Sequence, residues 1–279
     1  MLCTFTVVVA TNSLQTVSGP AAMKPRRLPV MPTLIAAYRD WGRTLTAMRA
    51  ITLSAIIILT AISVGSEFVP RRLWEQQLFG EALGLAQDAI WAFLLAPFVI
   101  ALHRFVILGE TTPAYTLPID EPAFLIFFGW LFALKVLVGL PFDLLGALEA
   151  LNWSLPATLL AFAVALVAAA FVSLRLSILL PACAVEAPGA IPSRALADTS
   201  GQALRIFALL FLALLPWLAV DLAIVFLLGP GAQITGSLRA MISFVMAGIL
   251  QTILLSLTTV IASYAFMALA AQVKRTAEL

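Results

Sequence analysis

Two charged side chains stand where charge is costly. Lys135 and Asp221 each interrupt a long apolar run, and an ionisable group left unpaired in lipid is strongly unfavourable. Counted from the same side, Lys135 lies about 13 residues and Asp221 about 17 residues along its run, which is roughly 20 and 25 Å deep. Opposite charges at similar depth predict a Lys135–Asp221 ion pair joining two helices. The alternatives are a proton or substrate-ion site, or two separate groups that each snorkel outward. Pro216, five residues before Asp221, has no N–H, so the carbonyl of Leu212 is expected to be open to water or a polar side chain. Lys135, Pro216 and Asp221 therefore form a candidate intramembrane polar site.

A second group gathers near one face: His103, Arg104, Arg175 and Glu186. Arg175 is expected to snorkel towards headgroups. Glu186 is expected to pair with Arg175 or Arg194, which in contact with water contributes under about 1 kcal/mol. His103, the single histidine, is read as an interfacial residue, because no second histidine or correctly spaced cysteine completes a zinc set. Asp120 and Glu121 stand before Pro122 as a helix start, with carboxylates at the positive end of the dipole. Gly-rich phosphate loops, nucleophile elbows and HExxH arrangements do not occur. No catalytic residue, metal or cofactor is expected.

A third pattern is a stripe of small and weakly polar residues. Gly248, Thr252, Ser256, Thr259 and Ser263 recur at spacings of four, four, three and four. On a helix in lipid, such a stripe lets a neighbour approach closely and hydrogen-bond across the contact. Lining a polar path is the alternative use.

The elements that must carry these residues are membrane helices. Of 279 residues, 62% are hydrophobic and 11% charged, with a mean hydropathy of +1.07, far from the soluble norm of about a quarter charged. The run Leu155–Pro181 has Arg175 as its only charge and exceeds the roughly 20 residues needed to cross a bilayer. It is the stretch around which the rest is expected to be arranged. Continuous apolar runs argue against a membrane β-barrel, and a formal charge of +2 gives no reason to expect a nucleic-acid partner. The partners expected are the lipid bilayer and a further membrane protein. Cys3 and Cys183 match neither a disulfide framework nor a metal spacing.

The expected fold is an all-α polytopic bundle of six transmembrane helices with an N-terminal interfacial amphipathic helix. Residues 1–30 read as a disordered extension, broken by Pro20, Pro25 and Pro29; residues 31–279 read as one six-helix membrane domain. In 32–50, Leu34, Tyr38, Trp41, Leu45 and Met48 form one stripe of a surface-lying helix, with Arg39, Asp40 and Arg43 on the other side. The spans are 51–64, 89–108 (interrupted by Pro97), 122–140, 155–181, 204–228 and 240–271. Polar connectors fall at 67–88 and 141–154. If the chain is two inverted three-helix halves, Pro97 and Pro216 hold corresponding mid-span positions, an arrangement that in transporters marks a binding site, although the halves share no residue-level similarity. With the N-terminus inside, twelve Lys and Arg residues fall on the cytoplasmic side and three on the other, so both termini are predicted cytoplasmic.

From Arg175 the chain reads Arg-Leu-Ser-Ile-Leu-Leu-Pro-Ala, then Val185-Glu186, then Ala195-Leu196-Ala197-Asp198-Thr199 before the apolar run from Ile206. This pattern is similar to a loosely defined group of six-helix bacterial inner-membrane proteins related to the membrane domain of glycerophosphodiester phosphodiesterases. The resemblance covers about 40 residues. It implies the bacterial inner membrane as location. The catalytic domain of those phosphodiesterases, with its histidine and acidic ligands, has no counterpart here, so the resemblance carries no such activity. The expectation is a non-enzymatic accessory or membrane-organising protein. The alternatives are a small transporter or channel built around Lys135, Pro216 and Asp221, and, more distantly, a lipid-acting enzyme with a headgroup pocket near His103, Arg104 and Glu186.

Overall fold

The computed structural model describes residues 28–68, 77–228, 238–271 and 273–274. The described residues form helices α1 (Val30–Ala47), α2 (Arg49–Glu67), α3 (Gln77–Leu108), α4 (Pro122–Ala150), α5 (Leu155–Leu176), α6 (Leu179–Ala184), α7 (Pro192–Asp198), α8 (Ala203–Leu228) and α9 (Leu238–Leu269). Five stretches are long and apolar enough to cross a membrane: Phe79–Leu108, Pro122–Leu148, Leu155–Ala184, Ala203–Ile224 and Met241–Leu269. The count becomes six if α1 and α2, bent by 92° at Met48, are taken together as one broken span. The protein is an all-α bundle of membrane-spanning helices.

Element boundaries follow local chemistry. Pro122 opens α4 and Pro192 opens α7, where a missing N–H costs nothing. The carbonyl of Glu121 accepts the first bonds of α4, from the amides of Phe124 (3.0 Å) and Leu125 (3.3 Å), which bears out the helix start expected there. Gly109 closes α3 with φ of 74° while its amide donates to the Phe105 carbonyl at 2.9 Å, a left-handed C-terminal cap that suits glycine.

Two expected connectors are largely helix. Residues 77–88 belong to α3, and α4 runs through Pro141 to Ala150. Polar composition suggested loops, but the residues extend spans longer than the hydrocarbon core, where their polar groups can reach water. The fourth expected span also divides. Its helix ends at Leu176 and restarts as α6, so Pro181 lies inside the second piece and does not end the first. Most of the expected N-terminal extension, the connector residues 69–76 with Arg71 and Arg72, the 229–237 turn and Cys3 lie outside the described residues.

Helix α9 is the hub, packing on α2, α3, α8, α1 and the short α6. Helix α5, which belongs to the most apolar span, lies at the edge against α4, α7 and α8. Only 11% of its most apolar window is buried, against 44% for α9 and 50% for α3. The helix of the most apolar span is at home in lipid, and the helix with the small polar stripe is taken inside. One core cluster runs through α2, α3, α4, α6 and α9 around Leu59, Phe98, Phe127 and Phe266. A second joins α1, α8 and α9 around Ala37, Leu209 and Val260, and Leu28 packs into it.

Candidate functional site

The stripe on α9 is the centre of the bundle's polar chemistry. Thr252, Ser256, Thr259 and Ser263 are all buried. The hydroxyls of Thr252, Thr259 and Ser263 each donate to the carbonyl four residues earlier, at 2.8, 2.7 and 3.0 Å. Ser256 donates to Ile253 at 2.9 Å and accepts the indole N–H of Trp41 at 2.8 Å. At Gly248 a methyl group would stand 2.2 Å from the Thr60 Oγ1 and 3.0 Å from its backbone nitrogen. Glycine there lets α9 touch the backbone of α2. The stripe serves close packing, as its spacing suggested.

His103 faces this stripe. Its Nδ1 lies 2.7 Å from the Ser263 Oγ, its ring stands edge-on to Phe127 at 6.2 Å, and it is 1% exposed. With the Ser263 proton on the Thr259 carbonyl, Nδ1 is the donor and Nε2 a bare acceptor, buried without a protein partner. The interfacial position expected for His103 is therefore corrected to a core one. The sequence places it beside Arg104, but successive helical residues point in directions about 100° apart. Arg104 accordingly faces outward, where its Nε donates to Glu110 Oε2 at 2.7 Å and its Nη1 lies 3.6 Å from Glu186 Oε1. The same Nη1 donates to the Ala184 carbonyl at 3.4 Å. These groups are partly in water, so each pair contributes under about 1 kcal/mol.

Of the expected face cluster, the structure joins Arg104 with Glu186, adds Glu110, and separates His103 and Arg175. Arg175 does not snorkel freely. Its guanidinium donates to the Leu196 carbonyl, its cation lies 5.7 Å from the Phe171 ring centroid, and the Thr199 hydroxyl donates to its carbonyl at 2.9 Å. It ties the end of α5 to α7.

The expected Lys135–Asp221 pair is also corrected. The Lys135 Nζ lies 3.4 Å from Asp88 Oδ1 and 5.2 Å from the centroid of Trp91, three residues on from Asp88. Both ends are partly open, at 40% and 30% exposure. Asp88 had been assigned to a connector. Once α3 is extended back to Gln77, it becomes a membrane-helix residue facing α4. Asp221 is exposed on α8 between Val220 and Leu222, with no ion pair among the described residues, and α8 packs chiefly on α1, α9 and α5. Lys135 and Asp221 therefore belong to different faces of the bundle.

Pro216 keeps company with α1. The Tyr38 hydroxyl donates to the Ala213 carbonyl at 2.6 Å, one residue beyond the carbonyl expected to be free. Pro97 has the same arrangement, with the Tyr115 hydroxyl donating to the Leu94 carbonyl at 2.7 Å. In both cases a tyrosine from another element meets the carbonyl three residues before an intrahelical proline, where the ring disturbs the helical ladder. Tyr115 lies in the 109–121 loop, and burial raises its hydroxyl above the ordinary phenol value, so it remains a donor throughout the neutral range.

The seam between α1, α8 and α9 is held by Asp40, which its spacing in the sequence puts on the outer side of α1. Its Oδ2 instead accepts the Tyr264 hydroxyl at 2.5 Å, and its Oδ1 lies 3.5 Å from Arg39 and Arg43. Trp41 packs edge-on to Trp217 at 5.6 Å. Asp40 adjoins the apolar stripe at Trp41, and that adjacency was the one available signal. Among the described residues no three His, Cys, Asp or Glu side chains are placed to hold a metal ion, and Cys183 is buried and unpaired.

Fold and site together define a polytopic helical membrane protein. No protein-family model, curated protein or solved structure matches the chain.

Proposed function

We propose that the chain is a non-enzymatic accessory or membrane-organising protein of the bacterial inner membrane, with both termini cytoplasmic. The observation that carries this reading is how polar groups within the described spans are used. The α9 stripe seats α2, Ser256 receives Trp41, Ser263 meets His103, and the prolines' neighbouring carbonyls receive Tyr38 and Tyr115. These groups join helices, or in Tyr115 a loop and a helix, in pairs and do not converge on one centre. The likeness of the 175–206 region to six-helix bacterial inner-membrane proteins supports the location, and the distribution of Lys and Arg supports the orientation.

A second reading, a small transporter or channel, draws support from the broken α1–α2 pair, whose α1 half rests on the proline-containing α8. Discontinuous helices beside a proline are a recurrent transporter device. Reconstitution into proteoliposomes under a proton gradient separates the two. The accessory role predicts flux no greater than in empty vesicles. Flux carried by the native chain and lost in Lys135→Met or Asp88→Asn would overturn it. A reporter fused after Ala271 and active only outside the cell would overturn the orientation.

A further inference from the structure

Helix α1 carries an exposed stripe that neither the bundle nor the proposed role uses. Its packing side is set by Ala37, which is wholly buried against α8 and α9. Met31, Ile35, Arg39 and Arg43 follow one another at intervals of four and are all exposed, Met31 at 57%, Ile35 at 68% and the two arginine side chains at 68% and 71%. Arg49, just past the bend, is exposed too. The first half of the stripe is apolar and the second half basic.

The bend determines where that stripe lies. Helix α2 packs lengthwise on α9, with Ile51, Ala55 and Leu59 buried at intervals of four. Helix α1 is turned from α2 by 92°, so it runs across the spans, in the plane of a bilayer. Asp40 bonds to Tyr264, five residues from the end of α9, and Trp41 to Ser256, 13 residues from it, which puts α1 against that half of the bundle. A helix lying there, with apolar and basic residues on one outward stripe, meets acyl chains and phosphates together. Bulk water would not suit Met31 and Ile35, and acyl chains alone would not suit the arginines. Asp40 offsets one of the three positive charges, leaving a surplus of two.

We propose that α1 is a headgroup-binding helix: Arg39, Arg43 and Arg49 bind the phosphates of anionic phospholipid, and Met31 and Ile35 lie against the adjoining acyl chains. The inference needs only that the chain resides in a bilayer and does not depend on an accessory or a transport role. Attraction of this kind is electrostatic and weakens with salt.

The test uses the full-length protein in dodecyl maltoside micelles, titrated with dioleoylphosphatidylglycerol or with zwitterionic dioleoylphosphatidylcholine, while the apparent melting temperature is followed. Phosphatidylglycerol is expected to raise it at lower concentration than phosphatidylcholine. The variant R39Q/R43Q/R49Q should need roughly fivefold more phosphatidylglycerol for each charge removed, and R39K/R43K/R49K should keep most of the preference. Should the triple variant not fold, Arg43→Gln alone is read, because among the described residues the exposed Arg43 side chain bonds Asp40 alone. Equal response to the two lipids, an unchanged response in the glutamine variants, or the same stabilisation by inorganic phosphate would each overturn the proposal.

Discussion

Helices α5 and α9 are both apolar enough to cross a bilayer, with mean hydropathies of 2.5 and 2.0 over their spans, yet they occupy opposite places. Helix α5 presents Leu160, Val164 and Val167 outward, each more than 60% exposed. Helix α9 is the hub, and it buries Gly248, Thr252, Ser256, Thr259 and Ser263 alongside Leu257, Val260, Ile261 and Phe266. In water the more apolar helix would go to the centre. In a bilayer the surroundings are as apolar as leucine, so hydrophobicity gives no reason to leave the lipid. Close approach and hydrogen bonding decide the interior, and those need small and weakly polar residues. Hydropathy therefore identifies the membrane helices here, and the small-residue stripe marks α9 as one of the two that are most buried.

Substitutions sharpen this contrast, each read as thermal unfolding of the purified protein in one detergent. The largest effect is expected at the α2–α9 contact. Gly248→Val places side-chain carbons into the Thr60 backbone and should destabilise by about 3 kcal/mol, as overpacking of a tight contact does. A variant as stable as the native chain would show that the hub is not tightly packed. Next comes the seam that holds α1. Asp40→Ala leaves the Tyr264 hydroxyl without its acceptor and should cost about 1 kcal/mol, discounted because Asp40 is partly exposed.

Smaller still are the two tyrosine bonds at the prolines. Tyr38→Phe and Tyr115→Phe should each cost about 0.6 kcal/mol, the average for hydrogen bonds between membrane helices. Because the two sites are separate, the double variant should show the sum of the two effects; marked non-additivity would mean that the proline sites are coupled. Lys135→Gln removes the pair with Asp88 and the contact with Trp91 at a partly exposed site, with an expected loss under about 1 kcal/mol. The smallest change belongs to the edge. Val164→Leu, facing outward on α5, should alter stability by less than about 0.5 kcal/mol. A large loss there would mean that α5 is covered by a partner and not by lipid.

Much of this architecture was legible in the order of residues. Apolar runs longer than a bilayer is thick and prolines at helix starts both follow from local chemistry within about 20 residues. The stripe on α9 was legible as well, because a spacing of three and four residues specifies one face whatever the face meets. The sequence alone thus determined that the protein is a membrane-helix bundle and which residues share a side. Which sides meet was decided only by the tertiary structure. Lys135 and Asp221 agree in depth, but depth is one coordinate of three, and rotation and neighbour order put Asp88 beside Lys135 instead. His103 and Arg104 are adjacent in the chain and face core and surface. Asp40 turned inward because Tyr264, 224 residues away, offers it a proton. Partnerships over such distances depend on how helices pack, and no local spacing encodes that.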